Sequence, residues 1–317
     1  MAIKYNWQDL QKRMYNGHEV QKVMYNWNQI RPSVTPVVDD YLCFTANTGG
    51  STIALNKTGN PTVVELEISY DKVDWIDYTI GDTLTLVNPW SKIYFRNKSE
   101  TPTGFSIGYS SGYYKFSMSW SISANWDVDY LLCKNSTTTI TSWYCFANLF
   151  LTCTALTTAP KLHATTLTRG CYTYMFASCT SLTAAPSLPA TNLEEECYAY
   201  MFINCTALTT APSLPAGETE EDCYFDMFYG CTELITIPSL PAGYLRDSCY
   251  VGMFLWCSKI KLSTTQTWEY QTPYRIPTTW TWWARANSRN NMFVNTWGTF
   301  TGTPDINTTY YTSNQVI

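Results

Sequence analysis

The chain has 317 residues, of which 14% are charged against about a quarter in a typical soluble domain, and its net charge is −5. Such an acidic, polar and aromatic composition argues against electrostatic binding to nucleic acid, which needs a basic face. No run of about 18 apolar residues occurs, so no segment is expected to span a membrane.

Residues 1–36 form an expected N-terminal arm, of which residues 1–32 carry a short repeat of period about ten. Asn6-Trp-Gln-Asp-Leu-Gln-Lys-Arg-Met-Tyr15 is followed by Asn16-Gly-His-Glu-Val-Gln-Lys-Val-Met-Tyr25 and then by Asn26-Trp-Asn-Gln-Ile-Arg-Pro32. Asn16-Gly17 is a hairpin signal; Trp7, Leu10 and Met14 also fit a helical period, so strand and helix stay open. An arm this short cannot close a core of its own and is expected to dock on another surface. The docking residues are expected to be Leu10, Val20, Val23, Met24, Ile30 and Arg31. The first residues lack the apolar core of a secretory signal, so export by that route is not expected.

Pro32 and Pro36 separate the arm from residues 37–135, where the pattern is period two. Phe116, Met118, Trp120 and Ile122 alternate with Ser117, Ser119, Ser121 and Ser123. Turn signals at Gly49-Gly50, Gly59-Asn60-Pro61, Gly81-Asp82 and Ser111-Gly112 punctuate the strands, which predicts an antiparallel β-sandwich. Its tryptophans Trp75, Trp90 and Trp120 are expected in the core.

From 136 to 263 one sentence is written five times at a constant step. Cys145-Phe-Ala-Asn-Leu-Phe-Leu-Thr-Cys153 returns as Cys171-Tyr-Thr-Tyr-Met-Phe-Ala-Ser-Cys179, and again from Cys197, Cys223 and Cys249. A fixed period in this range predicts a solenoid. Asn192 or Thr191 is expected to cap a short helix, with Glu194, Glu195 and Glu196 in its first turn. Cys197, Tyr200, Met201 and Cys205 would face inward from that helix. Leu208 and Ala211 are candidates for a short strand, ended by Pro212. Thr157, Thr183, Thr209, Ile235 and Lys261 fall at one position of that strand ledge. The cysteine columns read as reduced, buried ladders, because equivalent Cβ vectors in stacked copies run parallel and suit a disulfide poorly.

The pattern Met-Phe-x-x-Cys-Thr-x-Leu-Thr-x-Ala-Pro-x-Leu-Pro-Ala over about 140–262 resembles the BspA-type (Treponema pallidum-type) leucine-rich repeat. It departs from the usual unit in having Met or Leu where Ala is common, and in being a few residues longer. The resemblance implies a right-handed, curved solenoid. The arm, with Gln21-Lys-Val-Met-Tyr-Asn26 and Ile30-Arg-Pro32, is similar to N-terminal segments of tail and fibre proteins from phages of gut Bacteroides. The segment Tyr41-Leu-Cys-Phe-Thr-Ala46 through Ile68-Ser-Tyr70 looks like the β-domain of the same proteins.

Residues 264–317 fall outside the period and are expected to form a cap, with Met292-Phe293 echoing the repeat. Trp280, Trp282 and Trp283 suit stacking on sugar rings if exposed, and cap core or a subunit interface otherwise. The expected fold is therefore a multidomain, β-rich α+β chain: docking arm, antiparallel β-sandwich, right-handed leucine-rich-repeat solenoid and C-terminal cap. The expected function is non-enzymatic, without cofactor or metal, because His18 and His163 stand apart and no catalytic motif surrounds them. The resemblance implies a bacteriophage virion protein for host-surface attachment, with a bacterial surface adhesin as the alternative. Implied partners are other virion proteins at the arm, a host-surface protein or glycan at Thr157, Thr183, Thr209, Ile235, Lys261 and the three tryptophans, and further copies of the chain, a homotrimer favoured.

Overall fold

Alternating apolar residues in β1 (Leu42–Ala46), β6 (Lys92–Asn97) and β7 (Gly112–Ser119) place Phe44, Phe95 and Phe116 together in the core, with ring centroids 4.8–5.6 Å apart. The computed structural model describes residues 41–135, 137–276, 285 and 287–317. The remaining strands of the first half are β2 (Ser51–Gly59), β3 (Leu66–Ser69), β4 (Ile76–Tyr78), β5 (Leu84–Leu86) and β8 (Ile122–Asn125). Further along lie β9 (Leu156–Thr158), β10 (Thr236–Ile237), β11 (Leu262–Ser263), β12 (Thr272–Arg275), β13 (Thr309–Thr312) and β14 (Gln315–Val316). One sheet runs β4-β3-β6-β1-β8-β9 and a second runs β5-β2-β7. Aromatic side chains from both fill the space between them.

The expected α+β chain with a right-handed leucine-rich-repeat solenoid is not what forms. Among the described residues the helical segment is a single 3-10 turn, Val128–Leu131. The short strands of the repeats do not pair with one another to make a ledge. Instead β9 pairs with β8, β10 with β14, and β11 with β13. Between copies, strand-like contact shrinks to isolated bridges such as Ala184 with Thr210.

The physical reason lies in the backbone of the Cys-to-Cys segments. Gly170, Tyr174 and Ser178 have positive φ, as do Glu196, Tyr200 and Asn204 in the next copy, and Asp222, Asp226 and Gly230 in the one after. A left-handed residue at every fourth position interrupts any right-handed helix. Each segment is a run of tight turns. The N–H groups of Cys171, Thr173, Met175, Ala177 and Cys179 donate three residues back. Those of Tyr172, Tyr174, Phe176 and Ser178 donate across to Cys197, Ala199, Met201 and Ile203, at 2.8–3.1 Å. Local turn bonds and rungs to the next copy thus alternate, and the backbone is satisfied without helix or sheet.

The side chains follow the rungs. Phe150, Phe176, Phe202, Phe228 and Phe254 stack in one column, with centroids 5.3–5.7 Å apart and planes within 6° of parallel. Phe146, Tyr172, Tyr198, Tyr224 and Tyr250 form a second. Each such pair contributes roughly 0.5–1.5 kcal/mol beyond its area burial. The second cysteine column caps carbonyls of the preceding copy. Cys179, Cys205, Cys231 and Cys257 direct Sγ–H at the oxygens of Phe150, Phe176, Phe202 and Phe228, at 3.0–3.1 Å. All twelve cysteines are free and buried.

Both ends of the column are covered. Phe116 of β7 stacks on Phe150, and Phe116 N–H donates to Leu149 O. At the other end Ser288 to Thr296 stands as a sixth copy. It receives the rungs from Tyr250, Gly252, Phe254 and Trp256, and its Phe293 stacks on Phe254. Ser288 and Thr296, both buried, occupy the two cysteine positions. The C-terminal strands then return: β14 joins β10 in parallel, and Asn314 donates to the Ile235 and Lys259 carbonyls and accepts from Lys261 N–H.

Candidate functional site

Of the five residues expected on the ledge, Thr183, Thr209 and Ile235 are linked from copy to copy by hydrogen bonds, and the five are not equally available. Ile235 N–H donates to Thr209 O, and Thr209 N–H and hydroxyl both donate to Thr183 O. Thr157 is half-buried and donates to Ile122 O, while Asn47 Nδ2 donates to it. Lys261 is half-buried and pairs with Glu269. Thr183 and Ile235 are the exposed members. Leu10, Val20, Val23, Met24, Ile30, Arg31, Trp280, Trp282 and Trp283 lie outside the described residues.

The acids before each cysteine do not begin helices. Glu196 and Asp222 hold left-handed backbone positions. What anchors this row is arginine: Arg169 pairs with Glu195 and Glu196 at 2.9 and 3.0 Å, and Arg246 with Glu220 at 3.5 Å. Among the described residues no group of three or more His, Cys, Asp or Glu is placed to hold a metal ion.

His163 Nδ1 lies 2.8 Å from Asp127 Oδ2. Asp127 is buried and its other oxygen caps the 3-10 turn by accepting from Asp129 N–H. Asp129 is fully buried beside it, and desolvation, with the neighbouring Asp127 carboxylate, raises its pKa well above the usual carboxylate range. Trp126 lies immediately before the turn that Asp127 caps.

Trp126 borders a groove of about 450 Å³, lined also by Cys43, Thr45, Asn47, Trp90, Lys92, Ser123, Asn125 and Lys161. Trp90 and Trp120 are not in the core: they are 73% and 72% exposed. Trp90, Trp120 and Trp126 have φ of 66°, 59° and 64°. A bulky residue in the left-handed region is rare, and such positions cluster at ligand sites. At Trp120 the left-handed turn between β7 and β8 breaks the period-two alternation, so Ile122 returns inward while the indole leaves the core. Sequence reasoning missed the groove because its lining comes from four separated stretches, with no motif in any of them.

The chain matches no family model, no curated protein and no solved structure. Among the described residues no helix is long and apolar enough to cross a membrane.

Proposed function

We propose that the protein is a non-enzymatic structural component of a bacteriophage particle, a fibre or similar appendage, that presents its repeats to the host surface. The observation that carries the reading is the ring column running from Phe116 through Phe150 to Phe254 and Phe293, stacked at 5.3–5.7 Å and covered at both ends. Such a column resists bending, because every copy is tied to the next by backbone rungs as well as rings. Rigidity of this kind suits display, in which a surface is held away from an attachment point. The resemblance of residues 1–36 to phage tail and fibre segments supports docking of the arm on other virion proteins, in a homo-oligomer with trimer favoured. The exposed residues Thr183 and Ile235, at equivalent positions of their copies, are then one candidate contact with a host-surface protein or glycan.

Mass spectrometry of purified particles from the producing culture tests this. The chain is expected among the virion proteins, and a version lacking residues 1–36 is expected to be absent from them. Absence of the full-length chain from particles refutes the reading.

A further inference from the structure

We infer that the groove between Trp90 and Lys161 is a binding site for a saccharide carrying a carboxylate, such as a uronic-acid unit. The inference stands on the groove itself and holds whether or not the chain belongs to a particle.

Its volume lies within the range of about 300–1,000 Å³ usual for small-ligand sites. Trp90 supplies the stacking face. Its indole is mostly exposed, yet its backbone is fixed: Trp90 N–H donates to Ala46 O at 2.7 Å, and Ala46 N–H returns to Ser91 O at 3.0 Å. A fixed backbone lowers the ordering cost when a sugar ring covers the exposed indole.

Two lining residues, Asn47 and Ser123, belong to an ordered polar network. Asn47 Nδ2 lies within 3.0–3.1 Å of Ser121 Oγ, Ser123 Oγ and Thr157 Oγ1, and Ser123 Oγ donates back to Asn47 Oδ1. Beside this network the Asn125 amide has no hydrogen-bond partner among the described residues. It offers both a donor and an acceptor to sugar hydroxyls.

The charge sets the class. Acids outnumber bases in the chain by 25 to 20, yet the groove lining contains two lysines and no Asp or Glu. Lys92 is exposed at the start of β6. The Lys161 ammonium lies 5.0 Å from the Trp126 ring centroid, so Trp126 positions that cation rather than offering its own face. A neutral sugar leaves both ammonium groups unused, whereas a ring carboxylate accepts charge-assisted hydrogen bonds from them.

The test is titration of the full chain with tri-galacturonate and with maltotriose, up to about 10 mM, by calorimetry and tryptophan fluorescence. Tri-galacturonate is expected to bind, with weaker affinity as salt rises, and maltotriose at least about tenfold more weakly. Lys92→Ala/Lys161→Ala is expected to remove that preference. Trp90→Asn, which keeps a residue tolerant of positive φ, is expected to weaken both sugars. Circular dichroism and the melting temperature confirm that each variant is folded. No binding of tri-galacturonate, equal binding of maltotriose, or a preference that survives in the folded double-lysine variant would each overturn the proposal.

Discussion

Phe116 of the β-domain and Phe150 of the first repeat stack with centroids 5.3 Å apart and planes 17° from parallel, and Cys153 Sγ–H reaches Phe116 O at 3.0 Å. The β-domain thus contributes a ring and a carbonyl in the places that a preceding repeat would supply. One hydrophobic cluster extends from Leu42 to Tyr310 without a break at residue 136. Unfolding of residues 41–317 is therefore expected to be a single cooperative event. Phe150→Ala leaves a cavity at the junction and is expected to cost about 3–5 kcal/mol. Urea unfolding followed by circular dichroism and by tryptophan fluorescence checks both points. Two separated transitions in the unsubstituted protein would show that the halves are independent.

The tyrosine column contains a built-in cost. The hydroxyls of Tyr172 and Tyr198 are buried without a hydrogen-bond partner, whereas the equivalent residue in the first copy is Phe146. Removing an unsatisfied buried hydroxyl while keeping the ring is expected to help. Tyr198→Phe should raise stability by about 1 kcal/mol, read from the urea midpoint at unchanged slope. A loss of stability would mean that the hydroxyl has a partner in solution.

The periodic residues made the stacking of copies readable, because Cys, Met and Phe recur at one step. They did not reveal its backbone. Cys197, Tyr200, Met201 and Cys205 fit a helical face, but the same spacings fit turns of four residues, and the turns won. A trace of this existed in Asn148, Asn204, Asp222, Asp226, Gly170, Gly230 and Gly252, residue types tolerant of positive φ, all at left-handed positions. Tyr144, Tyr174 and Glu196 at equivalent positions hid that trace. The sixth copy was masked for a similar reason. Ser288 and Thr296 replace its cysteines, and β12 is inserted before it. The groove was the least legible feature, since only the folded sheet brings Asn47, Trp90, Asn125 and Lys161 together.

The thiols are expected to be inert. Burial raises the pKa of Cys145, Cys153 and Cys205 to about 12, and other members of the two columns move the same way for the same reason. The thiolate is the reactive form, so neither charge state nor access favours attack. The native protein should show no measurable reaction with a thiol reagent at pH 8 over about an hour, and all twelve cysteines should react after denaturation. Rapid modification of any of the ten column cysteines in the folded protein, located by peptide mass spectrometry, would contradict the ladder.

Gly170 is required by its neighbour in the stack. Its φ is 61°, and a Cβ there would enter the ring of Tyr144, which is held by a hydrogen bond to Glu196. Gly170→Ala is expected to cost about 2–4 kcal/mol, from left-handed strain and the clash together. Tyr144→Ala/Gly170→Ala should recover part of that loss relative to the sum of the single changes. Strict additivity in the double-mutant cycle would place the cost in backbone strain alone.

Asp226 gives the stack a pH dependence whose sign is fixed. Burial raises its carboxyl from 3.8 to about 6 in the folded state. Well below the unfolded value of 3.8 the acid is protonated in both states and contributes no difference. Between pH 4 and 6 the unfolded chain ionises first, so stability falls, and above 6 the loss is complete. Because the side chain is partly exposed, solvent screening limits the cost to about 1–2 kcal/mol. Asp226→Asn removes the titration and keeps a residue suited to the φ of 48°; the first copy already carries Asn148 at this position. The variant is therefore expected to match the parent at about pH 2–3 and to exceed it by that amount at pH 7–8, with a shallower slope between. Asp222, also raised by burial and by Glu221, should leave a residual slope of the same sign. Equal stability of parent and variant at pH 7–8 would show that the carboxyl is hydrated in solution.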